Sequence, residues 1–355
     1  MKSKVYFTQI DNADSPETIA AKLTRLLDKS QLLGFIGKND KVALKMHFGE
    51  EGNTGFIQPQ YLRIICAAVI AKEAGCFLID TNALYRGKRT NSKEHLQLAY
   101  QHGFTKEEVG VEVIIPDDAQ NSSEVTINGK FIKTAKISTP FLKADVILGV
   151  AHFKGHLMTG FGGALKNLGM GCATREGKLT QHSDLSPFVI AGNCIGCGAC
   201  EKACPVKAVS IVNEKSHIDN AKCIGCAACI AVCPANAIDL DWEAGGGSIQ
   251  EKMIEYAKAV LKGRQERGAF LNFALKITAE CDCLAKDDPR IAPDIGIFAS
   301  RDPVSIDKAC FDLINNRCGR DIFKEAHPKR DGLKQLHYAS EVGLGSLEYD
   351  LINLL

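Results

Sequence analysis

The sequence predicts an α/β protein: a mainly parallel-sheet host domain interrupted by a small α+β domain rich in cysteine. Three observations carry this. Strand-like and helix-like patterns alternate along residues 1–190 and resume at 249. Capping residues and prolines mark where helices begin. Between these stretches, the pattern of residues 191–241 is set by cysteines. The expected domains are the first part of the host over 1–190, the cysteine-rich domain over 191–241, and the second part of the host over 249–355.

The elements follow in order. KVYFT (4–8) reads as a strand, and Asp14-Ser15-Pro16 starts a helix that runs to about Ser30. KVALKMHF (41–48) is a strand that ends in a Gly/Asn-rich loop. A helix apolar nearly all round is expected over 59–75, ending at Gly75. Strand 76–80, helix 92–103 and strand 111–116 come next, then a hairpin over 123–138 turning at Asn128-Gly129. ADVILGVAHF (144–153) is a strand, and GFGGALKNLG (160–169) a glycine loop entering a helix. EAGGGS (243–248) reads as a linker before a helix over 249–262. Strands AFLNFALKI (269–277) and DIGIFAS (294–300) follow, then a helix over 302–315 with Asp302 as its cap and Pro303 at its first position.

Composition bounds the function. Of 355 residues, 45% are apolar and 24% charged, and the net charge of +1 gives no argument for nucleic-acid binding. No apolar stretch is long enough to span a bilayer, and Met1 is followed directly by a strand pattern, so the expectation is a cytoplasmic protein with no membrane partner. There are fifteen cysteines, and in a reducing compartment they argue for metal ligation over disulfides. Cys66, Cys76 and Cys310 fall in apolar patterns and are expected to be packing residues.

Eight cysteines form two copies of C-x2-C-x2-C-x3-C-P: Cys194, Cys197, Cys200, Cys204-Pro205, and Cys223, Cys226, Cys229, Cys233-Pro234. A cubane [4Fe–4S] cluster needs four thiolates at tetrahedral corners. Three come from a tight Gly/Ala-rich loop, and in two-cluster proteins the fourth comes from the other repeat. The spacing therefore predicts two [4Fe–4S] clusters, one on Cys194, Cys197, Cys200 and Cys233, the other on Cys223, Cys226, Cys229 and Cys204. Backbone N–H groups should hydrogen-bond the sulfurs. This segment resembles a bacterial-type dicluster ferredoxin.

Ligands of open α/β sheets bind beyond the C-terminal ends of the strands. Three loops there carry polar chemistry. Lys45 and His47 end one strand, with Glu50 and Asn53 beyond; His152, Lys154 and His156 end a second, before the glycines Gly160, Gly162 and Gly163 and then Lys166. Glu280, Cys281, Asp282 and Cys283 follow a third. His152 and His156, four apart, can face one metal, and the glycine run can offer backbone N–H groups to an anion at a helix start. Lys166, expected one to two turns into that helix, can supply charge or act as a nucleophile. Cys281 and Cys283 form a C-x-C metal chelate at the edge of the cleft. The expected cofactors are thus two [4Fe–4S] clusters and an additional metal or phosphate-bearing cofactor in the host cleft. No G-x-G-x-x-G follows the first strand and GFGGALKN is no P-loop, so neither NAD nor flavin is expected.

The motif HFKGHLMTGFGGALKNLGMG, the cysteine repeats and the closing DIGIFASRDPVSIDKAC together resemble the iron–sulfur branch of the "domain of unknown function 362" family, over nearly the whole chain. That resemblance implies an architecture and no reaction. The segment H…GFGGALK is also similar to one in nickel-dependent lactate racemases, where histidines and a lysine hold a nickel-pincer nucleotide; it implies such roles for His156 or His152 and for Lys166. The expected function is a redox enzyme whose two clusters relay single electrons between a redox partner protein and a metal or cofactor site in the host cleft, acting on a small-molecule substrate that the sequence does not identify. One cluster should then face the cleft or its wall. The alternatives are a non-catalytic electron carrier, an assembly factor, or a redox sensor with the host as docking platform.

Overall fold

A computed structural model describes residues 2–84, 87–182, 187–223, 228–240 and 247–354. Its centre is an eight-stranded sheet in the order Tyr349–Asn353, Ser3–Gln9, Gly296–Ser300, Gly268–Ala274, Val146–His152, Lys41–Lys45, Gly75–Ile79 and Glu112–Ile114. Gly296–Ser300 runs antiparallel to both neighbours, and the other adjacent pairs are parallel. The fold is therefore mixed α/β with a mainly parallel sheet.

Helices cover both faces, because side chains alternate across each strand. In Val146–His152, Val146, Leu148 and Val150 join one core, which holds Leu23 and Leu26 of helix Pro16–Ser30 and Leu62 and Ile65 of helix Pro59–Ile70. Ile147 joins the other core, with Leu165, Met253 and Ile306 from helices Ala164–Gly169, Ile249–Leu261 and Pro303–Cys318. Two caps match the sequence signals. The Ser15 hydroxyl accepts from Thr18 N, and Asp302 accepts from Val304 N and Ser305 N at 2.8 and 2.9 Å. The second carboxylate oxygen of Asp302 also accepts from Ser3 Oγ and Ser346 N, tying together the approaches to the two edge-side strands.

The structure shifts several expected boundaries. The helix from Pro59 ends at Ile70, because Glu73 adopts φ 57° and Gly75 N pairs with Asp40 O to open the next strand. Strand 111–116 is only Glu112–Ile114, and the helix at Pro303 continues to Cys318. Gly160–Gly162 is a short strand paired with Lys154–His156, so the helix begins at Ala164 and Lys166 lies in its first turn. The edge strand Tyr349–Asn353 and helices Ile322–Ala326 and Leu333–Glu341 were not expected. Cys66 and Cys310 are buried in the two cores, and Cys76 is half-buried beside the first of them.

Within the cysteine repeats, helices Ala199–Ala203 and Ala228–Val232 pack together, and Val209–Val212 forms a hairpin with Lys215–Ile218. Pro187–Val189 pairs antiparallel with Ile238–Leu240, which brings the two ends of the segment side by side. Cys226 and most of the expected linker lie outside the described residues. No helix among the described residues is long and apolar enough to cross a membrane.

One close approach positions the C-x-C loop. Gly155 N donates to Thr278 O at 2.9 Å, and a Cβ on Gly155 would stand 2.2 Å from Ala279 O. Only glycine lets this strand lie against the loop. Gly155→Ala should push residues 278–283 away and destabilise the protein by about 1–3 kcal/mol, the range for overpacking. A lowered denaturant midpoint checks it.

Candidate functional site

Four adjacent parallel strands end at Lys45, Ile79, His152 and Ala274 on the same edge of the sheet. Beyond that edge lies a cavity of about 430 Å³. Lys45, His47, His152, His156, Gly162, Gly163, Lys166, Cys281 and Cys283 all line it, while Gly160 does not. Among the described residues the lining also holds Arg89, Lys154 and Lys178, against the carboxylates Asp80 and Glu280.

Most of these charges are already matched. The Lys45 ammonium, 1% exposed, donates to Met46 O, to Asn167 Oδ1 and to Asp80 at 3.0 Å. Arg89 pairs with Glu50 at 3.1 Å. Burial raises the Asp80 carboxyl, but Lys45 first, with the neighbouring His47, His95 and Arg89, outweighs that and holds it below its usual value. Lys45 is thus a neutralising partner of Asp80, not the cofactor contact expected of it.

His152 also departs from expectation. Its Nδ1 is 2.9 Å from Asp282 Oδ1 and its Nε2 is 2.7 Å from Leu275 O. Lys154 Nζ lies 2.9 Å from the other oxygen of Asp282. Burial disfavours the Asp282 charge, yet His152 and Lys154 hold its carboxyl well below the ordinary range. With both ring nitrogens committed, His152 cannot share a metal with His156.

The glycine run does not cradle an anion. Ala164 N and Leu165 N, the first donors of the helix, are bound at 2.7 and 2.9 Å by the buried Asp307 carboxylate. Gly162 and Gly163 leave room instead. A Cβ would lie 2.8 Å from Lys166 Cδ at the former, and 2.3 Å from Asp307 Oδ1 at the latter.

Three groups keep unspent capacity. The His47 Nδ1 accepts from Gly49 N, leaving a buried Nε2 with no partner. His156 Nδ1 accepts from Met158 N and Thr159 N, each at 3.2 Å, with Thr159 Oγ1 at 3.0 Å. Burial, reinforced by nearby cations, holds both imidazoles well below their ordinary value, so they are neutral near pH 7. The third group is Lys166, which has no hydrogen bond or ion pair among the described residues; burial first, then Lys154, brings its ammonium down to about 7. Lys178, held by Thr81 Oγ1 and Asn82 O, is brought down to about 8 by burial.

Cys281 is buried and Cys283 is half-buried, and their sulfurs lie in close contact at the cavity, as the expected C-x-C chelate requires. A ring nitrogen of His156 and the two sulfurs lie within 4.8 Å of one another. Asp80, Arg89, Lys178 and Asp307 escaped the sequence reading. Asp80 follows the strand Gly75–Ile79 directly, the same signal that nominated His47. The other three carry no local mark.

A second, small cavity is lined by Cys194, Cys197 and Cys200 of the first repeat and by Cys233 of the second. Backbone N–H groups point at the sulfurs: Ser216 N to Cys194, Ala208 N to Cys204 and Ala237 N to Cys233, at 3.3, 3.2 and 3.2 Å. Hydrogen bonds from Gly196 and Ser216 lower the Cys194 thiol. Leu84 lines the large cavity and packs in the same apolar cluster as Cys194, Cys200, Cys229 and Cys233. Leu179 joins that cluster while its neighbour Lys178 reaches the large cavity.

A family model described as "Domain of unknown function (DUF362)" matches residues 42–312. No protein of curated function matches the chain. Among solved structures, the lactate racemase apoprotein from Thermoanaerobacterium thermosaccharolyticum is 15% identical with a TM-score of 0.40, over 78% of this chain and 51% of that one. A protein from Thermotoga maritima is 12% identical with a TM-score of 0.40, over 94% of this chain and 60% of that one. The chain thus spans between half and three fifths of the length of these two, and likeness at this level carries no chemistry.

The unpaired lysine sets a pH dependence. Sulfate, fully ionised throughout, should bind the cavity through protonated Lys166 and lose affinity as the pH rises through about 7. The loss is at most about tenfold per unit, the limit for one linked proton. In Lys166→Met the remaining decline should centre near 8, where Lys178 titrates. Calorimetric titrations across this range check both.

Proposed function

We propose, on the premise that the chain belongs to the DUF362 family, that it is an iron–sulfur redox protein whose cation-lined cavity takes a small anionic cofactor or substrate. The observation that carries this is the small cavity walled by three cysteines of one repeat and the fourth of the other. It is the crossed set that a two-cluster protein needs, and the N–H groups aimed at sulfur suit thiolates that hold a cluster. Cys194, Cys197, Cys200 and Cys233 would hold one [4Fe–4S] cluster, and Cys223, Cys226, Cys229 and Cys204 the other. When bound, such clusters supply single electrons at low to modest potential.

The host's own residues do the rest. Lys166 and the neutral imidazoles of His47 and His156 present donors to an anionic group, while Asp80 and Asp282 stay paired with their own cations. Leu84 packs with the cysteine-rich core and also lines the cavity, so the two compartments meet at this side chain. A redox enzyme is favoured over a plain carrier by this contact and by the unpaired lysine. Exposed Ile195, Val212 and Val232, at 68, 53 and 41%, offer apolar contact to a redox partner protein beside the cysteines.

Anaerobically reconstituted protein should carry about eight irons per chain, the content of two cubanes. Cys204→Ala should damage the cluster of the second repeat and spare that of the first. Lys166→Ala should weaken anion binding and leave cluster absorbance and iron content intact. Iron, sulfide and electron paramagnetic resonance measurements decide it, and four irons or fewer after reconstitution overturns the assignment.

A further inference from the structure

We infer that Ser216 makes the two cysteine sets unequal, so that the cluster site on Cys194, Cys197, Cys200 and Cys233 is the easier one to reduce. The inference rests on the two-cluster reading above and adds to it an order between the two sites. An internal symmetry carries it. Each cysteine of the first repeat has its counterpart 29 positions on in the second. The backbone keeps the same offset. Ala208 N donates to Cys204 Sγ as Ala237 N does to Cys233 Sγ, and Asp219 N donates to Ala208 O as Ile190 N does to Ala237 O. The flanking strands obey it too. Ser216 lies opposite Ile211 in one antiparallel pair, and Pro187 lies opposite Leu240 in the other. Pro187 is thus the counterpart of Ser216, 29 positions before it.

At this position the symmetry breaks. Ser216 N donates to Cys194 Sγ at 3.3 Å, and Ser216 Oγ lies 3.3 Å from Cys200 Sγ. A cysteine that ligates iron does so as a thiolate and carries no proton, so the serine hydroxyl is the donor of the second bond. Lys215 Nζ donates to Cys194 O at 2.6 Å, which places a cation beside the same cysteine. Pro187 has neither an N–H nor a hydroxyl, so the equivalent place in the second set supplies no donor at all.

Reduction adds negative charge that is shared with the cysteine sulfurs, and hydrogen bonds to those sulfurs stabilise it. Two donors present at one site and missing from the other therefore raise the first potential above the second. The effect is strong because Ser216, Cys194 and Cys200 are all buried, where little water competes for the sulfurs. Cys197, from the same loop, is exposed, and its neighbour Ile195 is 68% exposed. The site where an electron comes to rest is thus also one that a redox partner can reach.

The test uses the full chain, reconstituted anaerobically and titrated potentiometrically with electron paramagnetic resonance detection. Two midpoints should appear, separated by at least about tenfold in the one-electron exchange between the sites, which is about 59 mV. Ser216→Ala should lower the upper midpoint and leave the lower one in place. Ser216→Thr, which keeps the hydroxyl, should hold both. Pro187→Ser, which returns an N–H and a hydroxyl to the second set, should raise the lower midpoint and narrow the gap. Iron content should stay at about eight per chain in all three, since a serine needed only for structure would lose iron without moving a midpoint. The inference is overturned if the two midpoints of the unaltered chain coincide, or if Ser216→Ala moves neither midpoint or only the lower. Eight irons with coincident midpoints fail this inference alone. Four irons or fewer in the unaltered chain fail the two-cluster reading and this inference with it.

Discussion

A buried carboxylate between two cysteines governs the cavity. Asp282 is 1% exposed, and an isolated charge at such depth costs several kcal/mol unless it is met by partners. His152 and Lys154 meet it from the end of the adjacent strand. The clamp fixes the C-x-C loop against the sheet and removes His152 and Lys154 from the groups that can meet a ligand. Asp80 repeats the logic with Lys45 and Arg89. What remains free follows by subtraction: Lys166 and two imidazoles whose other nitrogens are pinned by backbone N–H groups.

Asp307 performs the complementary task on the other side of Lys166. It occupies the start of a six-residue helix and also accepts from Asn272 Nδ2 at 2.7 Å, so one carboxylate from the helix Pro303–Cys318 links the lysine-bearing turn to the strand Gly268–Ala274. Burial raises its carboxyl to about 6. The glycine directly before the helix serves this contact, since Gly163 admits Asp307 where a side chain would exclude it.

Much of the fold was legible because it rests on local chemistry. Short apolar runs marked the strands, and Ser15-Pro16 and Asp302-Pro303 marked two helix starts. His47 and His156 were nominated by strand ends and Lys166 by the glycine loop that follows one of them, and all three reach one cavity. What stayed hidden depends on partners distant in the chain. GFGGALK reads as an anion loop until Asp307, over 140 residues on, takes its donors. His152 reads as a ligand until Asp282, 130 residues on, takes its Nδ1. Tyr349–Asn353 gave no strand signal because an edge strand buries no regular face.

The place of the first strand has a consequence for how the chain is made. Among the described residues, Ser3–Gln9 pairs with Gly296–Ser300 and Tyr349–Asn353. Its hydrogen-bonding edges therefore have no partner until roughly 290 further residues have been synthesised, on the order of 15–60 s at ordinary ribosomal rates. Val5 and Phe7, fully packed in the finished protein, must wait through that interval in a nascent chain whose other strands can already pair. Closure of this edge is a late, non-local step, and such steps fold slowly and leave strand edges open to association.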